Sequence, residues 1–129
     1  MVTMLSGKIV DCVYIQEELS YLSMWGVYPE EDSGKSWIDI REIVAASESP
    51  SRLPAAFATE LYQLGETRMG GHEFTVEFSD GTMEFFIGGS ALDFIEYPPG
   101  KSHKDVVTVR NGGRGTPRTK PRYFWCLYS

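Results

Sequence analysis

Polar and apolar residues change their period along this chain. From Gly70 onward they alternate, and "EFTVEFSDGTMEFFIG" places Phe74, Val76 and Phe78 on one side of an extended segment. A period of two belongs to a strand with one face on a core. Asp80-Gly81 suits a two-residue type I′ turn, which would set Phe78 opposite Met83, Val76 opposite Phe85 and Phe74 opposite Ile87. The same register would place Glu77 directly opposite Glu84 on the outer face. Further strands are predicted at "LDFIEY", "DVVTVR" and "YFWCLY", with turn-rich segments between them.

Before residue 70 the spacing is helical or mixed. "SPSRLPAAFATELYQLGE" puts Leu53, Phe57, Leu61 and Leu64 on one face, with Pro54 near the start and Gly65 as the stop, which predicts a helix. "GKIVDCVYI" is rich in β-branched residues and reads as a strand leading into a short helix, "QEELSYLSMWG", that ends at a left-handed Gly26. "VYPEEDSGKS" is a loop of turn formers. In "SWIDIREIVAAS", Ser36 as N-cap and Asp39 as its reciprocating acid predict another short helix, with a strand as the competing reading. Helices early and strands late make one α+β domain over residues 1–129. Its expected form is two-layered, an antiparallel meander of about five strands in the C-terminal half with the N-terminal helices packed on one face.

Composition supports a packed fold: 42% of the 129 residues are hydrophobic, and 7 Phe, 7 Tyr and 3 Trp supply core or binding surface. No apolar run is long enough to span a membrane and no signal-peptide pattern opens the chain, so the expected location is the cytoplasm. Cys12 and Cys126 lie in apolar surroundings and read as free buried thiols. With His72 and His103 they share no zinc spacing, so no metal is expected. "FIGGSALD" and "NGGRGTPRTK" match neither a phosphate loop nor a dinucleotide fingerprint, so no cofactor is expected either.

Charge changes the picture more. Residues 1–100 carry 5 basic and 17 acidic side chains, net −12, whereas residues 101–129 carry 7 and 1, net +6. Such a division marks a partner-binding surface or two segments that neutralise each other. On the acidic side, Glu30, Glu31 and Asp32 are flanked by Trp25, Tyr28 and Trp37, residue types that anchor protein interfaces. Glu77 and Glu84 would add a second carboxylate group. On the basic side, Arg110, Arg114, Arg118, Lys120 and Arg122 precede Tyr123, Phe124 and Trp125, a set that could meet phosphates and stack on bases. The acidic body opposes nucleic-acid binding, and "YFWCLY" reads more simply as a core strand.

Catalysis finds little support. Ser102, His103 and Asp105 are neighbours in one loop, whereas a working triad is assembled from separate parts of a fold. Glu77, Glu84 and His103 are the remaining groups a small enzyme could use. The leading expectation is a small acidic protein that binds a basic protein, as a stoichiometric inhibitor of the toxin-immunity type. "LPAAFATELYQLGE" followed by a sheet resembles the SUKH group of immunity proteins in one respect, a Leu-Pro dipeptide leading a helix.

Overall fold

The structure, a computed structural model, describes residues 1–67, 71–89, 91–119 and 121–129. In chain order the elements are β1 (Val2–Met4), β2 (Ile9–Val10), β3 (Val13–Glu17), α1 (Glu18–Trp25), β4 (Ile43–Ala46), α2 (Ala55–Leu64), β5 (His72–Phe78), β6 (Met83–Gly88), β7 (Val106–Asn111), β8 (Arg118–Thr119) and β9 (Phe124–Tyr128). The fold is α+β, as expected. The five-strand meander is not what forms: the strands divide among three sheets. The chain groups into two compact units, one of Met1–Ser49 with Arg122–Ser129 and the other of Pro50–Pro121.

The unit of residues 50–121 is built on a four-stranded sheet in the order β7-β5-β6-β8. The central strand β5 pairs antiparallel with both β6 and β7, which explains why five of its seven residues are buried. Phe74, Val76, Phe78, Phe86, Val106 and Val109 form one apolar cluster with Leu53, Ala58 and Leu61 from the α2 region. Each of the Phe, Val and Leu side chains, moved from water to this interior, contributes about 1.5–3 kcal/mol. Leu64, expected on the buried face of α2, is 52% exposed. Pro54 precedes α2, and its carbonyl accepts from the backbone N–H of Phe57 and of Ala58, while Gly65 at φ +82 ends it.

The hairpin corrects the expected register by one residue. Phe78 donates its N–H to Thr82 O at 2.8 Å, and Gly81 donates to Phe78 O at 2.9 Å, so the loop is Ser79-Asp80-Gly81 rather than Asp80-Gly81. Gly81 at φ +86 supplies the left-handed residue of a three-residue loop. Asp80 fastens that loop by accepting from the N–H and hydroxyl of Thr82. Phe74 therefore lies opposite Phe86 and the two rings stack at 5.4 Å, whereas Glu77 faces Met83 and Glu84 faces Val76.

"LDFIEY" forms no strand. Phe94 makes a single bridge to Arg52, and Leu92 and Ile95 are buried as a plug, held by the N–H of Leu53 on Asp93 O and of Ile95 on Ser51 O. The two prolines that follow lack the N–H groups a ladder needs.

The other unit has two small sheets, β2-β1-β4 and β3-β9. β3 and β9 run parallel, from Val13 beside Phe124 to Glu17 beside Tyr128, so "YFWCLY" is a strand but not the end of a meander. Between β2 and β3, Cys12 takes φ 57, which turns the chain from one sheet into the other. Val2, Val13, Ile38 and Cys126 form the small apolar core, and Cys12 and Cys126 are both buried and not joined in a disulfide. Helix α1 ends at Gly26, which has φ 80, as expected. The helix expected from Ser36 does not form. The backbone of residues 36–38 is held extended against β9, by Ile38 N–H on Trp125 O and Trp125 N–H on Ser36 O. Asp39 instead caps a short 3-10 turn, Ile40–Glu42, and β4 follows.

Candidate functional site

Dividing the formal charges by unit locates the acidic excess. The unit of residues 1–49 and 122–129 has nine acidic and four basic side chains, net −5, and the unit of residues 50–121 has nine and eight, net −1. In the latter, Lys101 bonds Asp80, and Arg118 Nε lies 3.2 Å from Glu84 Oε2. Two of the seven cations of the C-terminal segment thus pair with acids of their own unit, whose formal charges nearly cancel, and the first unit keeps the surplus.

A cleft of about 240 Å³ opens in that acidic unit. Tyr28, Pro29 and Trp37 form its aromatic and apolar wall, with Ile38, Trp125 and Leu127 alongside, and Glu18, Glu30, Asp39 and Arg41 bring its charge. Local structure explains the placement. The 3-10 turn Pro29–Glu31 presents Glu30, while the pairing of residues 36–38 with β9 holds Trp37 outward at 47% exposure. Arg41 is committed to Asp39, with Nε and Nη2 reaching its two oxygens at 2.6–3.2 Å. These hydrogen bonds, with the Arg41 backbone N–H, lower the Asp39 carboxyl to about 2. That pairing leaves Glu18 and Glu30 as the carboxylates through which the cleft can meet an incoming cation.

Beside the cleft lies an aromatic cluster. Trp125 stacks on Tyr14 at 4.7 Å and meets Tyr21 and Trp25 edge-on at 5.0 and 5.8 Å. The ammonium of Lys35 lies 3.3 Å from the ring centre of Trp25 and 5.7 Å from those of Tyr21 and Trp125. Its Nζ is buried and has no hydrogen-bond partner among the described residues. Burial lowers the Lys35 pKa and nearby Asp32 opposes that shift. A cation over an aromatic face gains about 0.5–2 kcal/mol, most where water is excluded.

The residues singled out from sequence are thus only partly brought together. Tyr28, Glu30 and Trp37 line the cleft. Trp25 belongs to the aromatic cluster, Glu31 is exposed on the 3-10 turn, and Asp32 holds the Gly34 N–H at 3.0 Å. Glu77 and Glu84 are not opposite each other, and neither is among the residues lining this cleft. Glu18 and Arg41 were missed, and Asp39 and Trp125, read from sequence as a cap acid and a stacking or core-strand residue, were not assigned to this cleft. The Asp-x-Arg spacing of residues 39–41 was a readable sign of a local ion pair, whereas Trp125 arrives through a pairing more than 80 residues distant.

The basic set is dispersed as well. Arg110 and Arg114 share a groove of about 320 Å³ with Thr75, Met83, Phe85 and the carboxylate-bearing Glu84. Arg118 is engaged by Glu84; Arg122, in the acidic unit, donates to Ser36 Oγ at 2.9–3.2 Å and lies over the Phe124 ring. Lys120 lies outside the described residues. The Ser102, His103, Asp105 group is a helix cap: Asp105 accepts from the Ser102 N–H at 2.7 Å and Ser102 Oγ accepts from Lys104 N–H. His72 is buried with Nε2 3.0 Å from Asn111 Oδ1, a cross-strand contact within the sheet.

No protein-family model, curated protein or solved structure matches this chain, so the likeness to the SUKH group rests on Leu53-Pro54 alone. Among the described residues, no helix is long and apolar enough to cross a membrane.

Proposed function

We propose that this protein acts by binding a basic protein at the Trp37 cleft, as a stoichiometric inhibitor of the toxin-immunity type working in the cytoplasm. The observation that carries this reading is an exposed Trp37 beside Tyr28, Glu18 and Glu30, in the unit that holds the surplus negative charge. A lysine or arginine of the partner would lie between the aromatic wall and the two free carboxylates while the surrounding surface covers the partner's active cleft. Long-range attraction between the acidic unit and a basic partner would speed their encounter, and the effect would weaken with salt.

The test is affinity capture of the partner from the native cell, followed by titration of purified variants. Trp37→Ala is expected to weaken binding by about 30-fold or more, the loss typical of an aromatic anchor. Glu18→Lys with Glu30→Lys is expected to slow association and to remove most of its salt dependence. Binding that ignores both changes rejects the cleft.

One observation favours a second reading, the groove that holds Arg110, Arg114 and Phe85, which would suit a phosphate and a base. Titration with single- and double-stranded oligonucleotides at two salt concentrations tests it. No binding at low salt removes it.

A further inference from the structure

The Lys35 ammonium is held by ring faces and not by acceptors. Its nitrogen is buried among Tyr21, Trp25 and Trp125, closest to the Trp25 ring at 3.3 Å, with no hydrogen-bond partner among the described residues. Aromatic faces satisfy the charge of such a group but leave its three N–H donors unmet. A quaternary ammonium group has the same charge, more apolar surface and no donor to satisfy. In charge and donor count the ring faces suit a trimethylated cation better than their present occupant, although its methyl groups would hold the nitrogen farther from Trp25 than the 3.3 Å of Lys35 and so require the rings to part.

The rings keep their places through contacts with one another. Tyr21 and Trp25 project from α1 and pack against each other at 6.1 Å, and Trp125 is fixed by β9, by its stack on Tyr14 and by the edge of Tyr123 at 6.1 Å. The arm that carries Lys35 is a turn closed by the Lys35 N–H on Asp32 O at 2.9 Å, with Ser33 and Gly34 exposed beside it. Withdrawing Lys35 moves a side chain on a surface turn and leaves α1 and β9 intact.

We propose that Tyr21, Trp25 and Trp125 form a binding site for a quaternary ammonium group, with Lys35 as a tethered occupant that the ligand displaces. The tether makes Lys35 a competitor at an effective concentration on the order of millimolar, so the site is masked to weak ligands and open to those that gain contacts outside it. This inference does not rest on the Trp37 cleft, with which the site shares only Trp125. The two can therefore fail separately.

The experiment titrates the intact protein and two variants, Lys35→Met and Lys35→Gln, with tetramethylammonium, choline and trimethyllysine, using ammonium and lysine as controls. Tryptophan fluorescence and the indole N–H signals report binding. In wild type, the Lys35 side-chain methylene signals, displaced by the surrounding rings, should return toward ordinary positions as ligand saturates. Both variants are expected to bind the trimethylated probes roughly tenfold or more tighter than wild type does, because the tethered competitor is gone. Saturation by choline and trimethyllysine alike would assign recognition to the shared trimethylammonium group; saturation by one alone would assign it to that probe's remaining atoms as well. The proposal is overturned if no probe saturates either folded variant at concentrations up to roughly 100 mM, or if lysine binds as tightly as trimethyllysine. If neither variant folds, an unmoved Lys35 signal in wild type overturns it equally.

Discussion

The two units solve the same problem by different chemistry. Residues 50–121 bury a continuous aliphatic and phenyl cluster on one sheet, and their charges nearly cancel, with Lys101 on Asp80 and Arg118 on Glu84. Residues 1–49 with 122–129 have a smaller apolar core, an aromatic cluster around a buried ammonium, and a net charge of −5. A buried ammonium and a one-sided charge are poor ways to gain stability, since burial disfavours the ion and like charges repel. Features that cost stability and persist are where binding is to be sought, and both candidate sites lie in the second of these units.

Removing the centre of the phenyl stack is the severest way to break this comparison. Phe74→Ala should destabilise the protein by about 3–5 kcal/mol, measured by denaturant unfolding, because Phe74 is fully buried against Phe86. Hydrogen exchange should accelerate first in β5, β6 and β7. Equal and simultaneous loss of protection in β3 and β9 would show that the two units share one stability, and the contrast would fall. Gly113→Ala should come next, at about 1–3 kcal/mol of lost stability, because the added carbon would lie 2.1 Å from Phe85 Cδ1 and force the ring aside. If this variant melts like wild type, the ring yields freely and the Arg110 groove is not a fixed shape.

The smallest effect concerns pH. The Asp39 carboxyl is depressed in the folded protein by Arg41, to about 2. Its contribution is therefore complete above the ordinary aspartate range and is lost as pH falls through about 2. Carboxyl carbon signals followed by NMR should show Asp39 titrating well below the ordinary aspartate range, and Arg41→Ala should move it back up. An unchanged midpoint in that variant would remove Arg41 as the cause and return Asp39 to the carboxylates available in the cleft.

Local signals in the sequence were sound where one segment decides its own structure. Both helices stop at the glycines expected, and β5 follows the alternation of Phe74, Val76 and Phe78, whereas β6 buries Phe86 in place of the expected Met83, Phe85 and Ile87. The hairpin went wrong because Asp80-Gly81 serves two loop types equally well, and choosing the shorter one shifted every cross-strand pair by one position. That single step produced an opposed Glu77 and Glu84 that does not exist. Ser36 went wrong because a long-range partner, β9, holds its backbone extended, and no local pattern announces that. The cleft was visible through Tyr28, Glu30 and Trp37, yet its floor at Trp125 and the Lys35 enclosure depend on strands joined across most of the chain.

The parallel pairing of β3 with β9 also sets an order of events during synthesis. Val13–Glu17 are made more than 100 residues before their partner strand, and must wait for residues 124–128 before their edge is covered. Until residues 124–128 have left the ribosome, Tyr14 and Tyr21 lack Trp125 and the cleft lacks Trp125 and Leu127. Binding competence is therefore conferred late, by a strand made after β1 through β8.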